Sequence, residues 1–149
     1  CAAAAESAGL DRLAAIGLDG LVSLTDETLA ARARHVLTET ARVKSTVRAL
    51  RDGSWSLIGT MLTASHASLR DDFAVSCPEL DEAVEVALEA GALGARMTGG
   101  GFGGSVIALL EPTQVDAMRS ALETRFLARS WAQPDVFVVR PVGGAIRRA

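Results

Sequence analysis

The sequence predicts an α+β domain: a small antiparallel sheet packed on helices in the split βαβ (ferredoxin-like) order. Three observations predict it. Apolar residues recur at helical spacing from residue 26 to residue 90, and the pattern then shortens to strand-like runs on either side of a glycine-rich turn. A further helical stretch precedes one last β-rich run at 136–139. Two strands joined by a turn pair antiparallel, and a helix leading into the last strand crosses one face of the sheet.

The elements follow in order. Residues 1–8 read as a helix that Gly9 ends, and its start at Cys1 with no cap in front points to a chain continuing upstream. Gly17 and Gly20 interrupt any regular pattern over Ala14 to Leu24. From residue 26 to 50, Leu29, Val36, Val43 and Leu50 recur every seven residues with Ala33, Thr40 and Val47 between them, one apolar stripe of a long helix. Thr25 or Asp26 caps its start and Gly53 lies beyond its end. The short Asp52-Gly53-Ser54 link makes a second helix, from about Trp55 to Leu69, its antiparallel neighbour, with Ile58, Met61, Leu62 and Leu69 inward. Arg70 to Val75 reads as a loop.

Ser76 and Glu79 form the capping-box pattern of a third helix, with Pro78 in its first turn, Leu80, Val84, Ala87 and Leu88 buried, and Gly91 as its stop. Ala92 to Met97 is extended and Ser105 to Leu110 is a buried strand. Pro112-Thr113 opens a fourth helix, to about Arg129, with Val115, Met118, Leu122 and Phe126 inward. Val136 to Val139 is a final strand, ended by Pro141 and Gly143-Gly144.

Composition narrows the function classes. The chain has 149 residues, one domain's worth, 49% of them hydrophobic and 22% charged. Its net charge of −3 argues against nucleic-acid binding, which needs a basic surface to neutralise phosphates. No apolar run approaches the 18 residues of a membrane span. Cys1 and Cys77 match no zinc spacing and no disulfide framework, and read as free thiols of a cytoplasmic protein. Cys1 lacks the polar tether that follows a lipidated cysteine.

The run Thr98-Gly99-Gly100-Gly101-Phe102-Gly103-Gly104 carries the most chemistry. Five glycines in seven residues leave the backbone free to take positive φ and to approach a ligand closely. Consecutive amides in such a turn can cradle an anion, typically a phosphate. Gly99, Gly101 and Gly104 fit G-x-G-x-x-G, but a dinucleotide fold needs a helix after the motif and here a strand follows. Gly104-Ser105 has no lysine for a Walker A loop, and no V-A-I-K, H-R-D or D-F-G accompanies it as in a protein kinase. A hairpin with no ligand stays open on the loop alone.

The flanking residues extend the motif. The run from Gly91 through Gly104 closely resembles the third signature motif of GHMP kinases in its galactokinase form. Arg32-Ala33-Arg34-His35-Val36-Leu37-Thr38-Glu39, Ser65 to Phe73 and Val75 to Asp81 resemble further galactokinase segments, so that three blocks in family order span about residues 30 to 110. The Val136–Pro141 run is similar to the family's C-terminal ending.

The resemblance implies a GHMP kinase C-terminal domain filling residues 1–149 as a single unit. In such enzymes ATP, with Mg²⁺, phosphorylates the anomeric hydroxyl of D-galactose in a cleft between two domains. It implies that Thr98, Gly99, Gly100, Gly101, Phe102, Gly103 and Gly104 line the phosphate and sugar site. The family's N-terminal signatures of the R-x-N-L-I-G-E-H and G-L-S-S-S types, and its catalytic Asp and Arg, match nothing in this chain. The chain alone is therefore expected to be inactive, with no catalytic or metal-binding residue of its own, and to self-associate through surface that an N-terminal domain would cover. N-acetylgalactosamine or arabinose as the sugar, or a non-catalytic sugar sensor, stays open.

Other polar residues receive plainer readings. Asp71 and Asp72 read as a solvated turn or cap. His35 falls on the polar side of the long helix near Glu39, a surface pair, and His66 suits the dipole at the end of the second helix. Arg96 can reach a phosphate or pair with a helix carboxylate. Cys77, at a helix start, either has a lowered thiol pKa or packs beneath the cap.

Overall fold

The computed structural model describes residues 1–140. Six helices and a two-stranded sheet follow in the order α1 (Ala2–Ser7), α2 (Leu18–Val22), α3 (Glu27–Arg51), α4 (Trp55–Asp71), α5 (Pro78–Glu89), β1 (Gly94–Thr98), β2 (Ser105–Leu109) and α6 (Val115–Ala128). Short 3-10 turns at Leu13–Ala15 and Pro112–Gln114 complete the α+β domain.

Local chemistry sets most boundaries. The Asp26 side chain accepts the Leu29 amide and caps α3, while Gly53, at φ +66°, follows its end. Gly91, at φ +94°, ends α5 in a Schellman motif: its amide donates to Leu88 and that of Ala92 to Ala87. Pro78 opens α5 as expected, but the Ser76/Glu79 capping box does not form. Cys77 is the cap residue, and the Ser76 hydroxyl turns instead to Asp81. The expected loop after Leu69 begins two residues later, because α4 continues to Asp71.

The sheet pairs Gly94 with Leu109 through Thr98 with Ser105, antiparallel. Helices α4 and α5 both pack on β1, α6 packs on α5, and α3 packs on α4. Leu69, Leu80 and Met97 form one core patch, Val84, Ala87 and Ala95 the next, and Val86, Leu122 and Phe126 a third. Ala4, Ala5, Leu13, Ile16 and Ala33 make a separate patch under the first half of α3.

Three sequence expectations are corrected. The α3 stripe is covered only in its first half: Leu29 and Val36 pack on the α1 patch, whereas Val43 is 60% and Leu50 52% exposed. Period reports which face is apolar and not how far along the helix a neighbour reaches. β2 is mostly exposed, because both sheet-packing helices favour β1 and leave β2 outside. Val136–Val139 forms no strand. Val136 packs beside Trp131 on the Phe126 patch and Arg119 holds its carbonyl, which leads Phe137, Val138 and Val139 into solvent without a ladder partner. Pro141, Gly143 and Gly144 lie outside the described residues.

One close approach positions everything that follows. A Cβ on Gly59 would stand 2.1 Å from the Leu93 carbonyl oxygen, and one on Gly94 1.9 Å from that of Gly59. Only paired glycines let α4 lie so near the start of β1. From there the two elements run side by side, and α4 covers the edge of β1 that β2 leaves free.

Candidate functional site

The glycine-rich turn between β1 and β2 spans 99–104. Gly99, Gly101, Phe102, Gly103 and Gly104 all have positive φ, and the last four are consecutive. For Phe102, at φ +59°, this left-handed conformation costs about 1–2 kcal/mol, yet its ring is 75% exposed and gains little packing in return. Its amide donates to the Val75 carbonyl at 2.7 Å, which fastens the turn to the α4–α5 connection. Gly101 lies under that fastening, where a Cβ would meet the Val75 oxygen at 2.3 Å. Gly99, Gly100 and Gly103 face open space. The turn is thus held by backbone from one side and bare on the other.

Two histidines are buried, and the sequence reading placed neither of them inside. His66, on α4, is 3% exposed. Its Nδ1 accepts the Met97 amide at 3.3 Å, and its Nε2 lies 3.1 Å from Asp81 Oδ1 on α5. Burial pushes its pKa down, against the pull of Asp81. His35, expected on the surface beside Glu39, is also buried. It stacks on Phe73 with ring centroids 4.5 Å apart, and its Nδ1 lies 3.0 Å from Ser68 Oγ. The Ser68 hydroxyl donates to Asp72, so His35 carries its proton on Nδ1, and burial lowers its pKa too. The long helix turns this face to α4, a choice that spacing within α3 does not reveal.

Asp72 gathers the first two family-like blocks. It accepts from Arg34 at 2.7 Å and from Ser68 at 2.9 Å, and its carbonyl accepts from Arg32, whose guanidinium also lies over Phe73. Asp71 pairs with Arg70 in solvent, which holds its carboxyl below the usual range. The pair is therefore a helix-end brace rather than a shared acid–base site. Ala74, at φ +55°, then turns the chain toward Val75 and the glycine turn.

Arg96 resolves toward the helix carboxylate: its guanidinium lies 3.6 Å from Glu39, which also accepts from Ser65 at 2.7 Å and pairs with Arg42. These residues border a cleft of about 180 Å³ between α3 and α4. Burial raises the Cys77 thiol pKa, so the lowered value expected of a helix start does not arise; the side chain packs on the Leu69–Met97 patch. Among the described residues no group of three or more His, Cys, Asp or Glu side chains is placed to hold a metal ion. No helix among them is long and apolar enough to cross a membrane.

Comparison with known proteins agrees with this geometry. The family model described as GHMP kinases C terminal matches residues 46–128, more than half of the chain. A galactokinase of Streptomyces coelicolor is 54% identical over 114 residues, 76% of this chain and 30% of that protein. One of Mycobacterium tuberculosis H37Rv is 42% identical over 139 residues, 91% of this chain and 38% of that protein. The crystal structure of Lactococcus lactis galactokinase complexed with galactose superposes with a TM-score of 0.75 at 40% identity, covering 81% of this chain and 32% of that one. The chain thus spans about a third of the length of the relatives it matches. With the family match and the fold in agreement, the chain belongs to the GHMP kinase family and has the fold of its C-terminal domain.

Proposed function

We propose that this domain serves a galactokinase: transfer of the γ-phosphoryl group of ATP to the anomeric hydroxyl of D-galactose, giving galactose 1-phosphate. In this reading Thr98, Gly99, Gly100, Gly101, Phe102, Gly103 and Gly104 line the phosphate and sugar site in a cleft shared with an N-terminal catalytic domain, in a cytoplasmic enzyme. The carrying observation is the turn itself, fastened through Phe102 to Val75 while Gly99, Gly100 and Gly103 stay bare. A strained residue kept at an exposed turn fits a ligand-binding role. Because Arg96 is engaged by Glu39, the turn would act through amide dipoles, with the countercharge for phosphate supplied by another part of the enzyme. Phosphoryl transfer depends mainly on positioning and charge stabilisation, and in this reading the Mg²⁺ that accompanies ATP would be held mainly by residues outside this chain.

Gly100 gives the test. It lies in open space and outside the positive-φ set, so Gly100→Val spares the fold while placing a branched side chain where phosphate would approach. In the intact kinase, kcat with galactose should fall by about a hundredfold, as for loss of an electrostatic donor, with Tm unchanged. An unchanged kcat would leave the turn a connector. A panel of sugars including galactose, N-acetylgalactosamine and arabinose tests the acceptor, and no turnover with galactose overturns it.

A further inference from the structure

We propose that His66 is a positioning residue for the glycine turn, its Nδ1 accepting the Met97 amide and so holding the end of β1 where Thr98–Gly104 meets the phosphoryl group. This rests on the function proposed above. The first support is a match of lengths. Helix α4 and β1 touch at Gly59 and Gly94, and again at His66 and Met97. Seven helical residues rise about 10.5 Å and three strand residues about 10 Å, so both contacts close without strain. The second contact comes one residue before the turn begins to leave β1. A third fastening, Phe102 to Val75, joins the tip of the turn to the chain that follows α4. The turn is thereby held at entry and tip by one helix and its continuation.

The second support is chemical. An apolar side chain at position 66 would leave the Met97 amide on a covered strand edge without this acceptor. Imidazole can accept at Nδ1 only while its proton is on Nε2, and Asp81 lies beside Nε2. Asp81 is itself held by the Ser76 hydroxyl. Four charged groups act on the ring: Asp81 from α5, Arg70 and Asp71 from α4 and Arg96 from β1. The Asp81 carboxylate favours the Nε2 proton, and the two guanidiniums oppose a second proton at Nδ1. His35, equally buried, has the opposite tautomer and bonds only Ser68, so burial alone does not produce this arrangement.

Three substitutions in the intact kinase separate positioning from packing. Asn places Oδ1 where Nδ1 accepts, Gln places Nε2 near the ring's Nε2, and Phe keeps volume with neither. His66→Gln and His66→Phe should raise amide exchange over Met97–Gly104 about tenfold or more and lower kcat similarly, with the sugar KM within about threefold. His66→Asn should hold all three near wild type. If His66→Phe does not fold, His66→Gln decides. Unchanged exchange in the Gln variant, or an Asn variant as impaired as Gln, overturns the proposal. Raised exchange with unchanged kcat sustains the fastening and overturns instead the phosphate role of the turn.

Discussion

Gly59 and Gly94 meet backbone to backbone, so near that a Cβ on Gly94 would stand 1.9 Å from the Gly59 carbonyl oxygen. Neither α4 nor β1 can yield there, since the clashing atoms are main chain. Gly59→Ala and Gly94→Ala should each destabilise the domain by about 2–3 kcal/mol in urea unfolding, although alanine is the better helix former at position 59. A loss below about 0.5 kcal/mol at both would show that the helix and strand are not in this contact.

Gly101 and Gly100 should separate folding from function. Gly101→Ala strains a residue at φ +86° and drives a methyl group into the Val75 carbonyl, so thermal unfolding should report about 2–4 kcal/mol lost. Gly100→Ala should leave the midpoint within about 0.5 kcal/mol, for nothing lies within 4 Å of its Cβ.

Stability should fall on mild acidification. His35 and His66 both have pKa values lowered by burial, so in the unfolded chain they take up protons, near the ordinary value of about 6.5, that the folded state refuses. Their contribution is whole above that pH and is lost as pH falls through and below it, by up to about 1.4 kcal/mol per histidine per pH unit, until the folded values are reached. Urea midpoints between pH 7 and pH 5 measure the slope, and His35→Phe should reduce it.

Glu82 is buried to 4% exposure on α5 yet faces Arg125 of α6 and Arg129 just past its end. Replacing both arginines by Met should lower Tm by stranding the carboxylate, and adding Glu82→Met should recover most of the loss. Equal Tm values for the double and triple variants would mean that the carboxylate is solvated by other means.

Val43, Val47 and Leu50 on α3 remain 60%, 42% and 52% exposed, with Trp55 and Leu57 nearby in the chain on α4. The domain alone should therefore self-associate in sedimentation velocity, and Val47→Glu should reduce that association. Monomeric behaviour at every concentration would count against this surface being sticky.

Much of this molecule was readable before folding. Asp26, Pro78, Gly53 and Gly91 act on backbone within a turn of themselves, so the ends of α3 and α5 follow from local chemistry. The glycine turn, with Phe102 inside it, declares its conformational need in composition alone. Other features depend on what a distant segment brings. Gly59 looks like a flaw in a helix until β1 arrives beside it; His35 and His66 become interior only when α4 closes on α3 and β1. The Val136–Val139 run has strand chemistry, but Val136 is drawn to the Phe126 patch instead of to the sheet. Sequence thus determined most of the elements and the family-like turn, because those depend on neighbours along the chain. Tertiary structure decided which faces are buried and what fastens the turn, because those depend on neighbours across space.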